Sequence, residues 1–289
     1  MEEVKRTYIP GDRWAYFKIY TGVKTADFIL RNTIPDILNH LLERELVIKW
    51  FFIRYTDPEY HLRLRFYLTN IQHLGSVIHV VSTAFQQYLQ DGTVWKIQMD
   101  TYQRELERYG MDTMELSECL FSHDSNTFLE ILQAIQQGDK ETLRWQAALA
   151  SVDHLLNDFE LNLERKLAFV SFMKQLFAEE FKLGPLKGFL SAKYRMYKKD
   201  VEKILGADSE IHQDIFNILQ NRSVQQKPVI NEIIKKISDA GVLNRLLDSY
   251  IHMMLNRWFN SKQRMHEAVI YDFLTKYYKS KIATTRKEP

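Results

Sequence analysis

The stretch RYTDPEYHLRLRF, residues 54–66, places three arginines and a histidine in thirteen positions. Its second half alternates. Along a strand, alternation puts His61, Arg63 and Arg65 on one face and Leu62, Leu64 and Phe66 on the other. A guanidinium is permanently charged and grips a carboxylate or phosphate with a two-pronged fork, so adjacent forks suit a ligand bearing carboxylates. A solvated sheet face with cross-strand acids has the same pattern, and taken alone the stretch weighs toward that plainer reading. Arg54, on the preceding segment, could join either face.

Two further groups carry the same question. If residues 95–104 form one extended strand, Gln98, Asp100, Tyr102 and Arg104 line one side of it. YQRELERYG then adds Arg108 and Tyr109 before a turn glycine, with Glu105 and Glu107 as surface partners for the arginines. Convergence of Arg63, Arg65 and Arg104 on one sheet face would exceed what solvation explains, because like charges repel unless an anion lies between them. Far downstream, GVLNRLLDSYIHMMLNRWF (241–259) reads as a helix with an apolar stripe of Leu243, Leu247, Tyr250, Met254 and Trp258. Arg245, Ser249, His252 and Asn256 run along another face, and Asp248 lies one turn before His252. A carboxylate beside a histidine fixes its tautomer and raises its basicity. A core histidine satisfied by Asp248 or Ser249 fits these residues too, and on the residues alone it weighs more.

These side chains need elements to hold them. WAYFKIY (14–20) and VIKWFFIRY (47–55) are aromatic and β-branched and read as strands, with a helical pattern across ADFILRNTIPDILNHLLEREL between them. TDPE (56–59) is a turn joining 47–55 to YHLRLRFYL (60–68) as a hairpin. Residues 71–90 read as helix and VWKIQMDTY (94–102) as strand. From about residue 114 the pattern is helical, with a break at Gly138–Asp139, a stop at KLGPLKG, separate helices over 192–205, 209–221 and 228–238, and a frayed TTRKEP end. The expectation is one α+β domain over residues 1–289: an N-terminal antiparallel sheet packed and extended by a mostly helical C-terminal half.

Composition narrows the function classes. Lys and Arg number 39 against 37 Asp and Glu, so charge is too balanced for nucleic acid to be the main ligand. The single Cys119 excludes an internal disulfide and reads as a lone buried thiol, which suits a reducing cytoplasm. The opening MEEVKRTYIP lacks the apolar core of a signal peptide, and no long apolar run suggests a membrane span. His123 and Asp124 in FSHDSN read as a helix-capping turn, and KYRMYKKDVEK (193–203) as a solvated helix face. No phosphate loop, dinucleotide fingerprint, serine elbow or metal-ligand spacing is present, so no cofactor is expected.

Three separated stretches, WFFIRYTDPEYHLRLRF, YQRELERYG…ELSECLFSHDS and SYIHMMLNRWF, resemble the C-terminal elimination domain of lantibiotic (class I lanthipeptide) dehydratases. That domain type also occurs alone, as thiopeptide-type bacteriocin biosynthesis proteins. One departure is visible: Met111 follows RYG where the family often has a second glycine. The resemblance implies a lyase that eliminates glutamate from glutamylated Ser or Thr of a ribosomally made precursor peptide, leaving dehydroalanine or dehydrobutyrine. Glutamylation would come from a separate glutamyl-tRNA-dependent protein, with no direct nucleic-acid contact by this chain, and the reading is compatible with a homodimer. By resemblance, Arg63, Arg65, Arg104 and His252 fall on elimination-critical positions. Arg63 and Arg65 would hold glutamate carboxyl groups, Arg104 would polarise the ester or enolate oxygen, and His252 would relay the proton. His61, Arg54, Tyr102, Arg108, Ser249 and Asn256 are the accompanying substrate-binding candidates. Two alternatives share the resemblance: a pyridine synthase joining two dehydroalanines by formal [4+2] cycloaddition with loss of the leader, and a non-catalytic leader-peptide-binding subunit.

Overall fold

The computed structural model describes residues 4–135, 140–182, 187–206 and 208–285. The expected break at Gly138–Asp139, the centre of the KLGPLKG stop and the tail beyond Thr285 lie outside these residues. The chain forms two compact units, Met1–Gln133 and Ala134–Pro289. The first carries an antiparallel sheet with helices and the second is helical, an α+β chain as expected.

The first unit is built on β2 (Trp14–Thr21), β3 (Val47–Tyr55), β4 (His61–Leu68) and β5 (Val94–Met99), in the order β3-β4-β2-β5. β3 and β4 are the expected hairpin, in antiparallel register with Phe51 opposite Arg65 and Tyr55 opposite His61. Leu62, Leu64 and Phe66 are wholly buried on the core face with Phe17, Ile19 and Phe52. Each such side chain contributes about 1.5–3 kcal/mol by leaving water. α1 (Val23–Phe28) runs through a π-helical turn at Ile29–Thr33 into α2 (Ile34–Glu43), which packs on β3, while α3 (Leu74–Gln90) packs on β5.

The expected strand 94–102 does not run through. It stops at Met99, and Tyr102–Gln103 (β6) instead pairs with Thr7–Tyr8 (β1) as a separate two-stranded ladder. After the short α4 (Leu106–Tyr109), Gly110 takes φ +76°, and a Cβ there would lie 2.9 Å from Thr113 Oγ1. Met111 is exposed and needs no left-handed φ, so this turn requires only one glycine. α5 (Met114–Ala134) then passes straight through FSHDSN, so His123 and Asp124 are mid-helix rather than capping. The polar run stays helical because Ser125 bonds the Phe121 carbonyl at 2.7 Å and Asn126 accepts from the Trp50 indole of β3 at 2.7 Å.

The second unit comprises α6 (Lys140–Asp158), α7 (Leu163–Glu180), α8 (Lys187–Gly206), α9 (Glu210–Lys236), α10 (Ala240–Trp258) and α11 (Gln263–Thr285). The two helices expected over 209–221 and 228–238 are one helix of 27 residues with Pro228 inside it. The polar stretch NRSVQQK suggested a break, yet Arg222 and Gln226 face inward, Arg222 donating to the Ser151 carbonyl at 3.1 Å and Gln226 to Asp158 at 2.6 Å. With Ile215, Leu219, Ile230 and Ile233 they make one buried stripe, and its packing outweighs the missing proline N–H. Pro228→Ala should therefore restore a helical hydrogen bond and raise stability by about 1–2 kcal/mol, read as a higher thermal midpoint.

His154 on α6 is buried beside Phe216, and burial, reinforced by Arg222, holds its pKa down to about 4. A histidine depressed in the folded state stabilises fully above its unfolded value of 6.5, and the contribution is lost as pH falls toward 4. It is worth roughly 3 kcal/mol at most. In urea titrations, His154→Phe should flatten the loss of stability between about pH 6.5 and 4.

Candidate functional site

The register of β4 decides its polar face. Arg65 lies opposite Tyr16 and Phe51, Arg63 opposite Lys18 and Ile53, and His61 opposite Tyr20 and Tyr55. Each cationic group on this face therefore has aromatic neighbours. The Arg65 guanidinium sits 4.4 Å from the Tyr16 ring centre, 4.7 Å from Tyr102 and 5.1 Å from Phe51. Arg63 stacks 3.4 Å over Tyr55, and its Nε donates to His61 Nε2 at 3.0 Å. His61 is buried, and its Nδ1 donates to the Glu59 carbonyl at 2.8 Å, so both ring nitrogens are engaged. Burial, opposed by the Glu59 contact and aided by Arg63, keeps His61 below its ordinary pKa. His61 therefore orients Arg63 and has no free lone pair to act as a base.

Carboxylates are distributed unevenly across these cations. Lys18 is paired with Asp100. Arg54 turns to the opposite face, with Leu62 as its register partner, and is buried against Asp27 at 2.7 Å and the Tyr60 hydroxyl at 3.0 Å. Arg104 is 2% exposed and is spoken for: Nε and Nη2 reach Glu118 at 2.7 and 2.8 Å, and Nη1 reaches the Lys5 carbonyl at 3.0 Å. Burial opposes its charge, but Glu118 outweighs burial and leaves its pKa raised. Arg104 thus does not join Arg63 and Arg65, because the strand breaks before it and Glu118 of α5 saturates its fork. Glu118 also accepts the Tyr102 hydroxyl at 3.0 Å, and Tyr102 walls Arg65. Arg108 is exposed and paired with Glu105 at 3.1 Å, and Glu107 pairs with Arg6.

Among the described residues, neither Arg63 nor Arg65 has a carboxylate at ion-pair distance. Arg65 is 6% exposed, its Nε is sealed without a partner, and burial lowers its basicity. A buried cation without a counter-ion costs stability unless an anion binds. Cation–π contact with three rings offsets part of that cost while leaving the forks open.

In the second unit His252 is half-buried on α10, and its carboxylate comes from Glu267 of α11, 3.2 Å from Nδ1, rather than from Asp248. The Gln263 amide lies 3.1 Å from the same nitrogen, and Asn256 donates to Gln263 at 3.2 Å. Ser249 is buried and bonded back to the Arg245 carbonyl at 2.9 Å. The apolar stripe packs inward as expected at Leu247, Tyr250, Met254 and Trp258. Cys119 is half-buried, and among the described residues no cluster of three His, Cys, Asp or Glu could hold a metal. The residues missed in the sequence are Tyr16, Phe51, Glu118 and Glu267. Both acids sit inside apolar helical runs, ELSECLF and HEAVIYDF, and that misplacement was the available signal.

The sequence of residues 14–278 matches the family described as lantibiotic biosynthesis dehydratase C-term. The chain belongs to that family. It is 24% identical to the subtilin biosynthesis protein SpaB of Bacillus subtilis, over 92% of this chain and 25% of SpaB. It is 26% identical to the nisin biosynthesis protein NisB of Lactococcus lactis subsp. lactis, over 96% of this chain and 26% of NisB. The chain thus spans about a quarter of the length of these curated relatives. Its fold matches the tRNA-dependent lantibiotic dehydratase MibB from Microbispora sp. 107891 at TM-score 0.75 and 19% identity, covering 96% of this chain and 29% of MibB. It also matches TbtD, the pyridine synthase of thiomuracin biosynthesis, at TM-score 0.61 and 13% identity, covering 93% of this chain and all of TbtD. Identities this low establish a shared fold. Among the described residues no helix is long and apolar enough to cross a membrane.

Proposed function

We propose that this member of the lantibiotic dehydratase C-terminal family is a lyase that eliminates glutamate from glutamylated Ser or Thr of a precursor peptide. The observation that carries the reading is the Arg63–Arg65 pair, two guanidiniums on an aromatic-walled strand face with no carboxylate at ion-pair distance among the described residues. A glutamyl ester brings a free carboxylate and generates a second one as it leaves, which are the anions such a face lacks. The Cα–H bond of the modified residue breaks as a base takes the proton, the Cα–Cβ double bond forms, and the Cβ–O electron pair departs with glutamate. Arg63 and Arg65 hold the glutamate, and stabilisation increases as charge develops on the leaving carboxylate. His252 relays the proton. Arg104 serves by positioning Tyr102 through Glu118, in place of the ester-polarising role the sequence suggested. A separate protein supplies the glutamyl group, and no part of the reading requires a homodimer.

A second reading, a formal [4+2] cycloaddition, has one observation in its favour: the fold is shared with a pyridine synthase at TM-score 0.61 over 93% of this chain. That reaction has no glutamate to hold and leaves the arginine pair unexplained. Incubating the full chain with a glutamylated precursor peptide and following it by mass spectrometry decides between them. Loss of glutamate with gain of dehydroamino acids is expected. Leader loss with ring formation from a dehydrated peptide, or binding without turnover, would overturn the proposal.

A further inference from the structure

Around His252, three helices contribute a connected chain of charge that the elimination chemistry does not itself require. Glu267 on α11 is fully buried and faces His252 Nδ1 at 3.2 Å. Arg264, one turn earlier, reaches the same Oε2 of Glu267 at 3.3 Å and extends its other arm to Glu180 of α7 at 2.6 Å. Its guanidinium lies over Phe177, 4.1 Å from the ring centre. Burial works against the Arg264 charge, yet Glu267 and Glu180 together raise its pKa.

We infer that Glu267 is a positioning residue that holds His252 in its Nδ1–H tautomer, and that Arg264, anchored by Glu180 and Phe177, keeps Glu267 aimed. Two groups approach Nδ1, and their chemistry settles which one it addresses. A carboxylate only accepts, so at 3.2 Å it needs a hydrogen on Nδ1. The Gln263 amide has an acceptor elsewhere, donating to the His252 carbonyl at 3.0 Å, while Asn256 fixes its orientation by donating to its oxygen. Nδ1 therefore carries the proton, and Nε2 is left with the lone pair that can accept or return one. A neutral imidazole by itself prefers the opposite tautomer, so the carboxylate reverses an intrinsic bias. The remaining polar neighbours do not supply this contact. Asp248 sits a turn away on the same helix, and Tyr271 lies one turn beyond Glu267 with its hydroxyl buried. Arg264 is the permanently charged group paired with the fully buried Glu267 among the described residues, and it offsets that carboxylate's desolvation.

The inference rests on the proposed proton relay by His252, and its test separates the two. In long-range proton–nitrogen spectra of the full chain labelled with ¹⁵N-histidine, with His252→Gln to assign the signals, neutral His252 should carry its proton on Nδ1. Glu267→Ala should shift it to the Nε2–H form and lower kcat for glutamate release about 10–100-fold, with little change in KM. Glu267→Gln keeps an oxygen acceptor and should restore the tautomer and part of the rate; the tautomer is the readout that a merely structural role would not move. Arg264→Met should give a mixture of tautomers. An Nε2–H form in the unaltered protein, or an unchanged tautomer in Glu267→Ala, overturns the inference, and the first of these needs no variant to fold. Full elimination activity in His252→Gln would overturn the relay while leaving the tautomer result standing.

Discussion

Replacing Arg65 by methionine is expected to abolish most glutamate release while leaving the fold as stable as before. Removing a buried arginine that is one half of an ion pair costs about 3–5 kcal/mol. Arg65 differs, since its side chain has aromatic walls and, among the described residues, no carboxylate at ion-pair distance. Methionine keeps an unbranched, polarisable chain against Tyr16, Phe51 and Tyr102, and it ends the cost of an uncompensated buried charge. Lost cation–π attraction and relieved desolvation oppose one another, so stability should change by less than about 1 kcal/mol. Catalysis has no such compensation. Loss of a bidentate charged contact that strengthens in the transition state should slow elimination roughly 100-fold. Chemical denaturation and single-turnover release of glutamate from a glutamylated peptide measure the two sides. A variant that is several kcal/mol less stable would mean Arg65 is a structural cation after all.

Glu118 should give the opposite result. Glu118→Ala leaves the buried Arg104 with the Lys5 carbonyl and the exposed Glu115, 3.3 Å away, and removes the acceptor of the Tyr102 hydroxyl. A cost of about 3–5 kcal/mol is expected, and Arg104→Met should cost less, because Glu118 keeps Lys49 at 3.5 Å and the Tyr102 hydroxyl at 3.0 Å. Combining Glu118→Leu with Arg104→Met removes both charges together, so the double variant should recover much of the stability lost by either single change. Its elimination rate should stay low, because neither Glu118 nor Arg104 remains to hold Tyr102 against Arg65. Tyr102→Phe, which removes the same hydroxyl tether and keeps both charges, should slow elimination comparably, and full activity in that variant would instead place Arg104 on the substrate, the role implied by the resemblance.

The alternation of HLRLRF was enough to put Arg63 and Arg65 together and to seat them on Leu62, Leu64 and Phe66, because side-chain direction along a strand is a local property. The hairpin turn and the span Val47–Tyr55 were legible for the same reason. Family membership, read from three separated blocks, extends over residues 14–278. What the sequence could not determine was which partner each charge takes. Arg54 lies in an almost unbroken apolar run where alternation gives no face, and its register with Leu62 sends it to Asp27. Arg104 and Arg63 are alike as residues, yet a strand break and an acid on α5 satisfy one and leave the other open. His252 has Asp248 a turn away in its own helix but meets Glu267 from the next one. The energy of a charge is set by whatever packs within a few ångströms of it, and those neighbours arrive from distant elements only when the chain is folded.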